Sequence, residues 1–255
     1  MDFSEKARLA ERAARAAGEM LEHHGAFTVR RKSENDFVTE MDFKSESLIR
    51  ETLLSACPED EFFGEETGGA SRAEGRWVVD PIDGTANFMR GQRLYTISIA
   101  YEHAGELVVG CVYCPGTDEL FLAERGKGAT LNGKPIHVSG VDALRNSLIH
   151  LGFGHRDPKC LERTLALFPH LIASISDVRR SGTAAYDMCS VAAGRAEAFV
   201  ELGLNLYDYA AGYVILTEAG GRFSGWDDGE DGLASGNVVA TNGLLHEAVR
   251  DLLKV

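Results

Sequence analysis

The spacing of apolar residues changes period several times along the chain. Residues 1–25 (MDFSEKARLAERAARAAGEMLEHHG) place Leu9, Ala13, Ala16, Ala17, Met20 and Leu21 near helical spacing. With Gly25 as a stop, they predict an amphipathic helix. Residues 27–31 read as a short strand and 33–36 as a polar turn, while Thr39 or Asp42 is a candidate cap for a helix running to about Ala56. EFFG (61–64) and WVV (77–79) are short apolar runs, each ending in acids. From Thr96 to Ile136 apolar and polar residues alternate, with breaks at 103–105 and 115–117, which predicts an antiparallel meander.

From about Asn146 a second set of elements follows: a strand in SLIHLGF, a helix over 158–172 and a strand through 178–180. A helix then runs from Gly182-Thr183 to Ala193 with Gly194 just past its end, followed by the strand AEAFVEL and a helix in YDYAAGYVILTEA. Strands and helices mixed throughout predict a layered α/β fold. The expected division is an N-terminal half, 1–144, and a C-terminal half, 145–255, forming one catalytic unit.

Composition narrows the class. The chain has 255 residues, 44% of them hydrophobic, which suffices for a large buried core. No apolar run approaches the ~20 residues of a membrane span, and the charged N-terminus does not read as a secretory signal. Asp and Glu outnumber Lys and Arg by 39 to 26, with no basic footprint for nucleic acid. Such acidity suits solubility and also a site that collects cations. Cys111 and Cys114 form a CxxC, but on a strand that spacing puts the thiols on opposite faces, and no second pair matches it. Reduced, structural cysteines in a cytoplasmic protein are expected.

The candidate chemistry lies where elements begin or end: Asp42 after FVTEM, Glu65 and Glu66 after EFFG, Asp80 and Asp83 after WVV, and Asp208 heading the YDYAAG helix. Each alone is explained by a cap, a loop or a turn. If they converge, two like charges ~4 Å apart repel by about 4 kcal/mol at an effective dielectric near 20. Raised pKa values would relieve this in part, and a divalent cation more fully. With only oxygen ligands plentiful, Mg2+ or Mn2+ is the natural occupant. Gly84 would let the backbone approach a phosphate, and Thr85 sets a hydroxyl beside the acids. WVVDPIDGTANF is therefore read as a metal–phosphate cradle that prepares a water for ester hydrolysis.

DPIDGTANF, together with FGEET, NDFVTEMD, RRSGTAAYDM and YDYAAGYVILTEAGG, resembles the inositol monophosphatase family of Mg2+-dependent phosphatases, in the family's order over about residues 32–221. The resemblance implies a layered αβαβα sandwich. It implies metal ligands Glu65, Asp80, the Ile82 carbonyl, Asp83 and Asp208, holding two to three Mg2+, and a water-activating pair, Asp42 and Thr85. The Gly84 and Thr85 amides would receive the phosphate; Asp83, Gly182, Thr183, Ala184 and Glu201 would face the alcohol. Lys32, Glu66, Arg180 and Asn205 are further candidates. The family commonly has Trp-Asp where this chain has Tyr207-Asp208, and often a basic residue near the position of Asn205, which leaves the alcohol open. A small phosphorylated alcohol or sugar is the implied partner, and a homodimer the implied assembly.

The implied substrate is myo-inositol monophosphate or a related sugar phosphate, with fructose 1,6-bisphosphate, NADP and 3′-nucleotides as alternatives on the same scaffold. A non-catalytic regulatory protein is the alternative of another class. GATLNGKP (128–135) departs from a P-loop at Pro135, where a metal-binding hydroxyl is required. DDGEDG (227–232) lacks the Glu that closes a calcium loop. An aspartyl-phosphate mechanism would want acids two apart, not three.

Overall fold

The computed structural model describes residues 1–33, 36–69 and 73–254. The elements in order are α1 (Phe3–Glu22), β1 (Val29–Ser33), β2 (Asp36–Thr39), α2 (Glu40–Ala56), β3 (Glu61–Gly64), β4 (Gly75–Asp83), α3 (Thr85–Met89), β5 (Thr96–His103), β6 (Glu106–Cys114), β7 (Glu119–Glu124), β8 (Ala129–Leu131) and β9 (Lys134–Ile136). They continue with β10 (Leu148–Leu151), α4 (Pro158–Ser174), β11 (Asp177–Arg179), α5 (Ala184–Ala192), β12 (Ala198–Glu201), α6 (Leu206–Glu218), β13 (Arg222–Ser224), α7 (Gly232–Ser235), β14 (Val238–Thr241) and α8 (His246–Leu252). The polar turn expected at 33–36 includes Glu34 and Asn35, which lie outside the described residues.

Among the described residues, β3 to β9 form a seven-stranded sheet in chain order, antiparallel except for the parallel β3–β4 pair. A five-stranded sheet has the order β11-β10-β12-β14-β13. In it β10 runs parallel to β11 and β12, while β14 is antiparallel to β12 and β13.

Strand alternation gives each sheet two buried faces. Trp77, Val79, Ile97, Ile99 and Cys111 pack against α1 and α2, whereas Val78, Ala100, Val112 and Phe121 pack against α5 and α6. Phe199, Val238 and Ala240 of the second sheet close on those same two helices. Its other face, with Ile149, Leu151, Val200 and Val239, packs against α4 and α8. The succession is helix, sheet, helix, sheet, helix, as the resemblance implied. The middle helices are buried on both sides, which is why α6 is apolar almost all round instead of amphipathic.

The predicted elements recur with shifted ends. The first helix stops at Glu22, before Gly25, and β1 starts at Val29. Both candidate caps of α2 are used, because Thr39 is the N-cap and Asp42 closes its capping box. The sequence resembling a P-loop is the β8–β9 hairpin. All five cysteines are free, four of them buried. No helix among the described residues is long and apolar enough to cross a membrane.

The helix that carries Asp208, α6, lies close against β6 of the first sheet. A Cβ at Gly110 would stand 2.3 Å from the Ala211 carbonyl oxygen, a contact that tolerates only hydrogen. Gly110→Ala is expected to lower stability by about 1–3 kcal/mol, or roughly 2–4 °C of Tm per kcal/mol for a chain of this size. A thermal melt at the wild-type temperature would show that α6 can move off the sheet without loss.

Candidate active site

The site is organised by an irregularity in β4. Asp80 pairs with Ser98 and Asp83 with Thr96, so β4 carries one residue more than its partner between them, a β-bulge at Pro81-Ile82. The strand thus runs on through both acids instead of ending before a turn, and it aims their side chains into a cleft. Asp80 Oδ1 accepts from the Ile82 amide at 3.0 Å, and Ser45 Oγ donates to the Pro81 carbonyl at 3.0 Å, fixing the bulge to α2. Gly84 follows with φ 91°, and a Cβ there would come within 2.6 Å of Thr183 Cγ2. Glycine is required at this position on both counts.

Thr85 opens α3. Its Oγ1 lies 3.2 Å from Asp42 Oδ1 and 3.1 Å from the Ile82 carbonyl oxygen. Asp42 Oδ2 accepts from Thr39 through both amide and hydroxyl, at 2.7 and 2.6 Å. The helix cap and the functional reading of Asp42 therefore hold together: one oxygen locks the side chain while the other meets Thr85.

Glu65 leaves β3 with its amide bonded to the Val79 carbonyl at 3.1 Å. Lys32 on β1 places Nζ 3.1 Å from Glu65 Oε1 and 2.6 Å from Glu66 Oε1. The Glu66 amide donates to Glu46 Oε2 at 2.8 Å. Lys32 thus serves as a protein counter-charge to the two acids.

The C-terminal half supplies the opposite wall. Asp83 Oδ2 accepts from the Ala185 amide in the first turn of α5 at 2.8 Å, an anion held at a helix N-terminus. Asp208 sits in the first turn of α6 and accepts from the Asn205 amide at 2.6 Å. Asn87 Nδ2 bridges the Leu94 and Ser181 carbonyls at 2.7 and 2.9 Å, tying the loop after the bulge to the second half.

Two adjoining hollows result. The outer one is lined by Glu65, Asp80, Ile82, Asp83, Gly84, Thr85 and Asp208, among others. The inner one shares Asp83, Gly182 and Asp208 and adds Thr183, Ala184 and Glu201. The expected ligand, water-activating and alcohol-facing residues other than Asp42 line one cleft, and Asp42 reaches it through Thr85. Asn205 is the N-cap of α6 and is not among the residues lining either hollow. Arg180 lines both hollows, with its guanidinium 5.2 Å from the Phe153 ring centroid, whereas Arg179 turns away to Asp177. One arginine of the pair faces the site, as strand alternation predicts.

Sequence reasoning missed His155, Arg156 and Asp187, all on the cleft wall. The first two could have been found: they follow β10, one of the parallel strands, and ligand sites gather beyond the carboxyl ends of such strands.

Electrostatics set the character of the cleft. Burial pushes the Asp80 carboxyl well above its ordinary range, and the charges of Glu65, Asp83 and Asp208 push it further. Burial does the same to Asp83, reinforced by Asp208. Asp42 is raised chiefly by burial, against the Thr39 hydrogen bonds. Burial also lifts Glu66 and Glu201 to about 7 each. Among the described residues, no three acids, histidines or cysteines already close around a common point as a metal set would. The donor chemistry nonetheless fits a hard divalent cation: oxygen donors from four acids line one hollow with Ile82, and two of the acids are buried against their own ionisation.

Comparison with known proteins agrees with this fold. The model of the family described as "Inositol monophosphatase family" matches residues 2–254. An inositol-1-monophosphatase of Mesorhizobium japonicum is 40% identical over 88% of this chain and 85% of its own. The Nus factor SuhB of Haemophilus influenzae is 38% identical over 91% of this chain and 89% of its own. The crystal structure of the extragenic suppressor protein suhB from Bartonella henselae superposes with a TM-score of 0.92 at 35% identity, covering 97% of each chain.

Glu201 gives a direct test of the electrostatics. Its carboxyl holds a proton to about pH 7 when folded, against an ordinary value of 4.5. It therefore favours the folded state below pH 4.5 and loses that contribution as pH rises through 7. Glu201→Gln should gain melting temperature relative to wild type between pH 4.5 and 7.5. Parallel pH–Tm curves for the two proteins would show that the carboxyl is not held neutral.

Proposed function

The chain belongs to the inositol monophosphatase family, and we propose that it is a Mg2+-dependent phosphomonoesterase acting on myo-inositol monophosphate or a related sugar phosphate. The observation that carries the reading is that Glu65, Asp80, Ile82, Asp83 and Asp208 line one hollow together with Thr85. These residues would hold Mg2+, with Mn2+ as a substitute. Bound there, the ion supplies positive charge for the phosphoryl oxygens and lowers the pKa of water.

The chain's own groups do the rest. Attack by water gives up a proton, and Thr85 Oγ1 can accept it while passing its own to Asp42 Oδ1. The Thr39 bonds hold Asp42 in place for that transfer. Asp42 is the better acceptor for being buried and raised. Gly84 and the first amides of α3 would face the ester phosphate, where no Cβ stands in the way. Hydrolysis by this route releases inorganic phosphate and a free alcohol without a covalent enzyme intermediate. The small phosphorylated alcohol is the proposed partner, together with a second copy of the chain. Neither nucleic acid nor membrane is proposed, and the free, mostly buried cysteines favour the cytoplasm.

A second reading, a regulatory protein that turns over no substrate, is favoured by relatives named Nus factor SuhB. Against it stands the intact Asp42–Thr85 pair.

Phosphate release from inositol 1-phosphate, fructose 1,6-bisphosphate, NADP and adenosine 3′,5′-bisphosphate, with Mg2+, with Mn2+ and with chelator, separates the two. We expect chelator to abolish release from at least the first. Thr85→Ala should cut kcat by about 10²- to 10⁴-fold, and Asp83→Asn should do at least as much while leaving the fold intact. Mg2+ at a hundred times its Kd should stabilise wild type by about 2.7 kcal/mol, and Asp83→Asn by much less. Absence of turnover across the panel in either metal would favour the regulatory reading.

A further inference from the structure

Helix α2 carries polar side chains where its packing calls for apolar ones. Its buried stripe is Met41, Asp42, Ser45, Glu46, Ile49 and Leu53. Positions 42, 45, 46, 49 and 53 follow helical spacing on one face. Ile49 and Leu53 enter the core as such a stripe should, yet Asp42, Ser45 and Glu46 are each no more than 1% exposed. Their partners lie on three segments around the cleft. Asp42 accepts from Thr85 of α3, Ser45 Oγ donates to the Pro81 carbonyl in the bulge at 3.0 Å, and Glu46 Oε2 accepts from the Glu66 amide at 2.8 Å.

The last two contacts bear on backbone that carries the proposed metal ligands. Gly64 and Gly68 close a tight turn through amide-to-carbonyl bonds of 3.2 and 2.9 Å, and Glu65 and Glu66 lie within it. Glu46 abuts that turn, since a Cβ at Gly64 would run into Glu46 Oε2. Ser45 holds the Pro81 carbonyl toward α2, while the Ile82 carbonyl, one peptide on, takes Thr85 Oγ1 at 3.1 Å. Stability alone does not account for Glu46. Its Oε1 is buried with no hydrogen-bond partner among the described residues, and a buried carboxylate with a bare oxygen opposes folding.

We propose that Ser45 and Glu46 are positioning residues that fix the Glu65 segment and the Asp80–Asp83 bulge at the spacing Mg2+ requires, and so set the site's preference for Mg2+ over Ca2+. Mg2+ demands near-ideal octahedral geometry from its ligands, whereas Ca2+ accepts a larger and more flexible set. Freeing the backbone at either tie therefore costs Mg2+ more than Ca2+. The inference rests on the metal-dependent phosphatase reading and deepens it.

The test titrates Mg2+ and Ca2+ calorimetrically, without substrate, into wild type, Ser45→Ala, Glu46→Ala, Glu46→Gln and Ile49→Val. The last loosens the same face of α2 without touching either tie. Thermal melts in chelator first check that each is folded; should Glu46→Ala fail, Ser45→Ala, which removes a single oxygen, carries the test. Loss of an outer partner of a metal ligand corresponds to about ten- to hundredfold in metal affinity. Ser45→Ala and Glu46→Ala should therefore weaken Mg2+ binding by that factor and Ca2+ binding by less. Glu46→Gln, whose oxygen can still accept from the Glu66 amide, should recover most of the loss, and Ile49→Val should keep both affinities. Unchanged Mg2+ affinity in either folded Ala variant would overturn the proposal. So would equal losses for the two cations, a Glu46→Gln as weak as Glu46→Ala, a matching loss in Ile49→Val, or a wild type that does not prefer Mg2+, and in each case the phosphatase reading would stand. A wild type that takes up no Mg2+ at all would overturn both readings together.

Discussion

Carboxylates that repel one another, held where water cannot screen them, are the constraint around which this molecule is arranged. Asp80 and Asp83 are almost fully buried, and each feels the charge of further acids from other elements. Left to itself, such a cluster opposes folding. The surrounding structure works against that tendency with fixed dipoles and one movable charge. The α5 amide holds Asp83, the Asn205 amide holds Asp208, the Ile82 amide holds Asp80, and Lys32 leans on Glu65. Every one of these contacts leaves oxygen lone pairs for something else.

The five-layer architecture makes this possible by anchoring acids on different rigid layers. Glu65, Asp80 and Asp83 come from the first sheet, Asp208 and the Asp83 clamp from the middle helices, and Glu201 from the second sheet. A site on loops alone would let such acids spread apart. Here the hydrophobic contacts of two sheets with a shared pair of helices keep them together, so the apolar core and the polar cleft are one device.

Much of this was legible in the sequence because of local contrast. Apolar runs that stop abruptly at acids marked β3, β4 and α6, and the alternation after Thr96 marked the meander. The strand-to-acid junction at β4 was harder to read: Asp-Pro and Asp-Gly look like a turn, yet Ser98 and Thr96 continue the ladder past them and convert the turn into a bulge. Asn205, a candidate whose role the sequence leaves open, caps α6 and gives its backbone amide to Asp208, and it lines neither hollow. The Lys32 contacts depend on register between distant segments, which periodicity does not encode. His155 and Arg156 lie in a stretch with no periodic pattern, and only their place just after the β10 strand marks them.

Asn87 has a consequence for how the protein is made. Its amide joins a carbonyl close by in the chain to that of Ser181, far downstream. When a ribosome has extruded little more than the first sheet, Glu65, Asp80 and Asp83 have already emerged, but Ser181, the Ala185 amide and Asp208 have not. The nascent chain carries its acids without the groups that orient them, so competence arises late in synthesis, when the second sheet docks.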